Sequence, residues 1–180
     1  MEQLHLFPLL VALATLSVAE LRLRMPGLRT AVSPRQGLAG VAAVVGIYVT
    51  TALVHTAPPV PVNALIYALA IITWCVLGDR WGAICGALAA VVGPVVEAVI
   101  AAAGLARYAD DSDALFGVPP WLPALYFAFG VVVAVLAEIA SSRHTRRALS
   151  SPAADCNSLN INDLAQSALR HRLLREDDVS

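Results

Sequence analysis

The stretch from Val62 to Ala106 decides the fold and reads VNALIYALAIITWCVLG, then DR, then WGAICGALAAVVGPVVEAVIAAAGLA. Two apolar runs stand here, separated by Asp79 and Arg80 alone. At 1.5 Å per residue, each is long enough, or nearly so, to cross about 30 Å of hydrocarbon. So short a connection predicts two membrane-spanning helices packed directly against each other as an antiparallel hairpin.

The composition of the whole chain agrees with a membrane protein. Of its 180 residues, 58% are hydrophobic and 14% charged, with a mean hydropathy of +0.72, whereas soluble domains carry about 25% charged residues. The net charge of −1 gives no indication of a nucleic-acid partner. The sequence therefore predicts an all-α integral membrane helical bundle over residues 1–140. Its five predicted spans are about 4–19, 37–54, 62–78, 81–106 and 121–140.

A polar tail follows the bundle, over residues 141–180. A short helix over about 163–175 is predicted there from its capping residues Asn162 and Asp163. Whether that helix lies on the membrane or the tail stays disordered is left open by the sequence.

The distribution of arginine predicts the orientation in the membrane. The connection after the first span is rich in Arg, and so is the start of the tail, whereas the connection after the second span has none. The arginines of the first connection are Arg22, Arg24, Arg29 and Arg35, and those of the tail are Arg143, Arg146 and Arg147. Since basic segments stay in the cytosol, the N-terminus is expected outside or in a lumen and the C-terminus in the cytosol.

Asp79 and Arg80 have two interpretations. They form either a solvated charged turn between two helices or a cytosolic contact point for a protein partner. Spacing alone favours the turn.

Glu97 is the residue whose placement in the membrane costs the most free energy. It lies roughly 24 Å along its span from Trp81 and therefore inside the bilayer. It shares a helix face with the small residues Gly86 and Ala90 and with Pro94. This face is predicted to point into the bundle, and Pro94 should kink the helix and free a carbonyl beside Glu97. Three roles are consistent with this position of Glu97: the polar anchor of a ligand, a proton site, or a structural hydrogen-bonding group.

Other polar residues carry weaker signals. Glu138 is expected to extend towards Arg143 at the membrane surface and receives no role. Asp110, Asp111 and Asp113 lie in a loop without the spacing of a diphosphate-binding cluster. Three cysteines, Cys75, Cys85 and Cys156, show no disulfide or zinc pattern. We therefore predict no catalytic residues, no metal, no cofactor and no enzymatic activity.

From the second span onward, the order of residues resembles the insulin-induced gene (Insig) family of endoplasmic-reticulum membrane proteins. The residues that carry the resemblance are Val44-Val45-Gly46-Ile47, Trp74, Asp79-Arg80, Tyr108, Asp113, Leu115-Phe116, Val118, Trp121-Leu122-Pro123 and Tyr126-Phe127-Ala128-Phe129-Gly130. The stretch from Tyr108 to Gly130 is similar to the family's Tyr, Asp, Leu-Tyr-Val and Trp-Leu-Pro followed by Phe-Phe-Ala-Gly-Gly. The stretch Val44–Ile47 resembles its Val-Phe-Val-Gly-Ile, and Trp74 with Asp79-Arg80 resembles its Trp-rich helix end followed by Asp-Arg. The resemblance covers about residues 36–138.

The resemblance implies a non-enzymatic regulator of sterol homeostasis that binds a sterol or another lipid and docks on sterol-sensing membrane proteins. The family's partner-contact Asp falls on Asp79, next to Arg80. Glu97, Asn63, Trp74 and Pro94 are the residues expected to bind the lipid. The alternative function is a small membrane carrier or proton-linked transporter that uses Glu97, and such a small transporter would need to form a homo-oligomer.

Overall fold

The computed structural model describes residues 3–29, 31–54, 57–105 and 118–150, and the side chains of residues 8–29, 31–54, 57–105 and 118–145. The described residues form five helices: α1 (Gln3–Arg24), α2 (Pro34–Leu53), α3 (Pro59–Leu77), α4 (Arg80–Ala102) and α5 (Leu122–Ser150). The chain divides into two compact units, Met1–Ser141 and Ser142–Ser180. The predicted tail helix and the acidic residues at 110–113 lie outside the described residues.

Four of these helices are long and apolar enough to cross a membrane: α2, α3, α4 and the part of α5 from Leu122 to Thr145. The remaining helix, α1, contains the predicted first apolar run and continues through the charged residues Glu20, Arg22 and Arg24. The protein is thus an all-α integral membrane helical bundle, as the sequence predicted.

The helix boundaries follow from local chemistry. Ser33 caps α2: its side chain accepts a hydrogen bond from the Gln36 amide, while the Gln36 side chain accepts from the Ser33 amide. At α4 the Asp79 side chain accepts a hydrogen bond from the Gly82 amide at 2.7 Å. Between α1 and α2 the chain turns at Gly27, whose φ of +71° is a conformation that glycine adopts without strain.

Helix α5 lies at the centre of the bundle. In its most apolar stretch 67% of the residues are buried, against 22–28% in the other three spans. The outer faces of α2, α3 and α4 expose large apolar side chains, among them Leu38, Leu53, Val60, Val76 and Val91. This is the distribution that a bundle surrounded by lipid requires, because apolar side chains are stable against acyl chains.

Small residues bring the neighbouring helices close to α5. A Cβ added at Gly130 of α5 would lie 2.8 Å from the Cys85 carbonyl oxygen and from the Gly86 Cα of α4. On another side, a Cβ added at Gly40 of α2 would meet Val132 at 3.0 Å. Gly82, Gly86 and Pro94 are buried on α4. The prediction that the small residues of α4 face the bundle is therefore correct.

The predicted direct packing of α3 on α4 is wrong. The two-residue connection is present, since α3 ends at Leu77 and α4 begins at Arg80. Leaving α5 aside, close backbone approach occurs between α2 and α3 and between α1 and α4, but not along α3 and α4. Each of these two helices contacts α5 instead: Trp74 of α3 packs edge-to-face on Phe127, and Gly86 of α4 lies against the same residue. The short connection keeps the two helix ends together, while the packing partner of each helix is α5.

Candidate functional site

A cluster of four charges joins α1, α5, the α1–α2 connection and the α3–α4 turn. Its members are Arg22, Arg29, Asp79 and Glu138, and we call it the charge cluster. At its centre Glu138 of α5 is only 1% exposed. It accepts a hydrogen bond from Nη2 of Arg22, which is also fully buried. On the other side, Arg29 Nε donates to Glu138 Oε2 at 2.9 Å.

Asp79 forms the edge of the charge cluster. Its Oδ2 lies 3.4 Å from Arg22 Nη2, and its side chain is 21% exposed. The other oxygen, Oδ1, caps α4, and the Asp79 backbone carbonyl accepts a hydrogen bond from the Trp74 indole at 3.1 Å. Arg29 adds a link to α3 by donating to the Leu77 carbonyl at 3.0 Å. Asp79 therefore helps to hold α1, α3 and α4 together. Arg80 beside it is exposed.

The structure corrects the interpretation of Glu138. From the sequence, its side chain was expected to extend towards Arg143 and to have no role. Instead it turns into the bundle and binds two arginines that are more than a hundred positions away in the chain. A buried carboxylate is costly unless it is paired, and Arg22 and Arg29 provide the pairing. The signal in the sequence was the carboxylate within an apolar run, together with the arginines of the α1–α2 region.

Glu97 lies near the other end of α4, roughly 25 Å from its first residue at 1.5 Å per residue. Its Oε1 accepts a hydrogen bond of 2.8 Å from the Tyr126 hydroxyl of α5. Both side chains are partly buried. We call these two residues the Glu97–Tyr126 pair; they place a carboxyl and a phenol together in an apolar part of two membrane-spanning helices.

Gly93 determines the position of the Tyr126 ring. A Cβ at Gly93 would come within 2.4 Å of that ring, so only glycine lets the ring lie across α4 at this height. Pro94, the next residue, is buried in the same helix. The sequence singled out Glu97 and Pro94 but missed both Gly93 and Tyr126, because a contact between helices is not visible in the order of residues along one of them.

The four residues predicted to bind lipid do not form one group. Trp74 lies beside Asp79, and its indole N–H donates a hydrogen bond to the Asp79 carbonyl. Glu97 pairs instead with Tyr126. Asn63 stands near the start of α3, and its Oδ1 is buried without a hydrogen-bond partner among the described residues. The structure thus separates Trp74 from Glu97 and Pro94 and associates it with the charge cluster.

The residues that the structure describes contain no group of three or more His, Cys, Asp or Glu side chains arranged to hold a metal ion. Cys75 and Cys85 are both free thiols, the first exposed and the second buried.

Comparison with known proteins identifies the family. No family model matches the chain. It is 58% identical over 149 residues to a protein described as an INSIG protein homolog from Mycolicibacterium vanbaalenii, and these residues are 83% of this chain and 72% of the relative.

Two solved structures are also similar. One is the crystal structure of a mycobacterial Insig homolog, MvINS, with a TM-score of 0.75 and 60% identity over 76% of this chain and 72% of that one. The other is a cross-linked trimer of an Arg-to-Cys variant of MvINS, with a TM-score of 0.75 and 59% identity over the same shares. Identity at this level over most of both chains leaves one conclusion: this protein belongs to the Insig family.

Proposed function

We propose that the protein is a lipid-responsive membrane regulator without enzymatic activity, which binds a sterol or acylglycerol and acts by docking on sterol-sensing membrane proteins. The observation that carries the lipid-binding part is the Glu97–Tyr126 hydrogen bond. A sterol or acylglycerol is mostly apolar with one hydroxyl-bearing end. An apolar bundle with a localised polar pair suits such a molecule, because the few polar groups of a site fix the orientation of an apolar ligand.

Lipid binding is tested at Glu97. Glu97→Gln keeps a hydrogen-bond acceptor for Tyr126 and adds a donor, so binding of radiolabelled sterol or diacylglycerol to the purified protein should be retained. Glu97→Leu removes both roles at similar volume, and binding should fall by about tenfold, the equivalent of one or two hydrogen bonds. Equal binding by the two variants would show that Glu97 is only a structural residue.

A proton-linked transporter is the alternative function, and the same pair of residues favours it. A partly buried carboxyl that is hydrogen-bonded to a phenol within a membrane is a typical setting for a proton-carrying group. In that case Glu97→Gln should abolish proton-coupled uptake into proteoliposomes as fully as Glu97→Leu, because the amide does not titrate. The Gln variant therefore separates the two functions.

Partner docking is proposed for Asp79 and Arg80. Arg80 is exposed, and the Asp79 side chain is partly so. Asp79→Asn keeps the oxygen that caps α4 but removes the charge, whereas Asp79→Ala removes both. If the charge makes the contact, both variants lose co-purification with a sterol-sensing membrane protein. If Asp79 acts only through the helix cap, Asp79→Asn retains it.

The proposed orientation places the C-terminus in the cytosol and the N-terminus on the opposite side of the membrane. The family resemblance implies the endoplasmic reticulum, and the bacterial relatives imply that the corresponding membrane in such cells is the plasma membrane. The orientation is tested by labelling with a membrane-impermeant thiol reagent, in two variants that each carry one cysteine, at Gln3 or at Arg143, with the three native cysteines replaced. Only the cysteine at position 3 should react from outside.

A homo-oligomer is proposed on the basis of the cross-linked trimer of MvINS. The mass of the purified chain, measured in detergent by light scattering with the bound detergent subtracted, should be three times that of one chain. A monomeric mass at micromolar concentrations would contradict this part of the proposal.

A further inference from the structure

Three buried hydrogen-bond donors near the start of α4 have no partner among the described residues. They are Nε and Nη1 of Arg22 and Nε1 of Trp81. Arg22 is fully buried, and only its Nη2 atom forms the bonds to Glu138, Asp79 and Gly27. A buried donor without an acceptor is destabilising, so three in one region indicate that an acceptor is bound there.

These donors border the same turn. The Gly27 carbonyl accepts a hydrogen bond of 3.2 Å from Arg22 Nη2, and a Cβ at Gly27 would lie 3.6 Å from Trp81 Nε1. One helical turn beyond Trp81, the Cys85 thiol lies 3.9 Å from the Met25 sulfur. The lining therefore combines N–H donors with soft apolar side chains, and we call it the Arg22–Trp81 niche.

The charges around the niche exclude an anion. Arg22 and Arg29 are paired with Glu138 and Asp79, so the charge cluster is already neutral. An added anion would bring a third negative charge beside two carboxylates in a poorly solvated place, which is unfavourable. The unpartnered atoms are all donors, so the group that completes them is an uncharged oxygen acceptor.

We propose that the Arg22–Trp81 niche is a binding site for an uncharged oxygen acceptor, supplied either by the ester carbonyl of a membrane glycerolipid or by water. The niche lies roughly 24 Å along α4 from Glu97, at 1.5 Å per residue, so it is separate from the site proposed above. It stands or falls independently of the lipid-binding function.

The test removes one donor without changing shape. Trp81 is replaced by β-(3-benzothienyl)alanine, in which sulfur stands where the indole has N–H, and the protein is placed in nanodiscs of diacyl phosphatidylcholine. If an acceptor is bound, the thermal midpoint should fall by about 2–4 °C, the equivalent of one lost hydrogen bond in a chain of this size. If the niche is empty, removing a buried unpartnered donor leaves the midpoint unchanged or raises it, and the proposal is overturned.

The source of the acceptor is distinguished with nanodiscs of the matching diether lipid, which has no ester carbonyl. A fall seen only in the diacyl lipid assigns the acceptor to the lipid, and an equal fall in both assigns it to water. The same replacement at Trp74 is the control, because its N–H donates to the Asp79 carbonyl and its loss should lower the midpoint in both lipids. The indole proton of Trp81, observed by NMR in the unmodified protein, should resonate at the downfield position of a hydrogen-bonded indole.

Discussion

The two ends of α4 hold their polar groups in different ways. Near its first turn, four full charges and two backbone carbonyls are linked across α1, α3, α4 and α5. Near its last turns, one carboxyl meets one phenol. The first arrangement fixes the positions of helices, because each of its four charged side chains binds groups in more than one part of the bundle. The second includes a side-chain hydrogen bond between two helices, and such a bond can be exchanged for one to a ligand at little structural cost.

The largest effect is expected at Glu138. Glu138→Leu leaves Arg22 and Arg29 without their common carboxylate, and breaking a buried ion pair on one side costs about 3–5 kcal/mol. We expect little folded protein in detergent, measured as loss of the monodisperse peak in size-exclusion chromatography. The control is Glu20→Gln, which breaks the exposed Glu20–Arg24 pair and should change nothing measurable. A well-folded Glu138→Leu variant would contradict the view that this end fixes the helices.

A smaller loss is expected midway between the two ends. Gly130→Ala places a Cβ 2.8 Å from the backbone of α4, so the helices must separate at a cost of about 1–3 kcal/mol. Gly46→Ala is the matched control, since nothing lies within 4 Å of the added Cβ and alanine favours the helix by up to about 1 kcal/mol. Thermal unfolding in detergent should therefore move in opposite directions for the two variants. A midpoint that rises for both variants would show that α4 and α5 do not need this close approach.

Asp79→Ala should lower the free energy of unfolding by about 1 kcal/mol, the usual contribution of a helix cap. Asp79→Asn keeps the cap to the Gly82 amide and should cost less than half as much in the same unfolding measurement. Equal losses for the two variants would mean that the contact with Arg22, and not the cap, provides the stability.

The smallest effect is expected at the Glu97 end. Tyr126→Phe removes the hydrogen bond to Glu97, and hydrogen bonds between membrane helices contribute about 0.6 kcal/mol on average. The unfolding midpoint should hardly change, while binding of the proposed lipid should weaken. If Tyr126→Phe lost as much stability as Glu138→Leu, the Glu97 end of α4 would be as important for the packing of the helices as the charge cluster, and the distinction between the two ends would be wrong.

Much of the fold was accessible from the sequence. The apolar runs, the two charges at Asp79 and Arg80 and the small-residue face of α4 predicted a helical membrane bundle, and the ordered motifs predicted its family. These are local properties, determined by the length of an apolar run and by the periodicity of a helix. The same local reasoning identified Glu97 as a candidate site residue.

What only the tertiary structure decided was which residues meet. From the sequence α3 was expected to pack on α4, because the two are neighbours along the chain, whereas both helices pack on α5. Glu138 was expected at the membrane surface, because its arginine partners are more than a hundred residues earlier. The contact of Tyr126 with Glu97 was not predicted. The physical reason is the same in each case: hydrophobicity acts on each segment separately and selects helices for the membrane. The choice of neighbours depends instead on close packing and on the pairing of buried charges, which exist only once the helices are assembled.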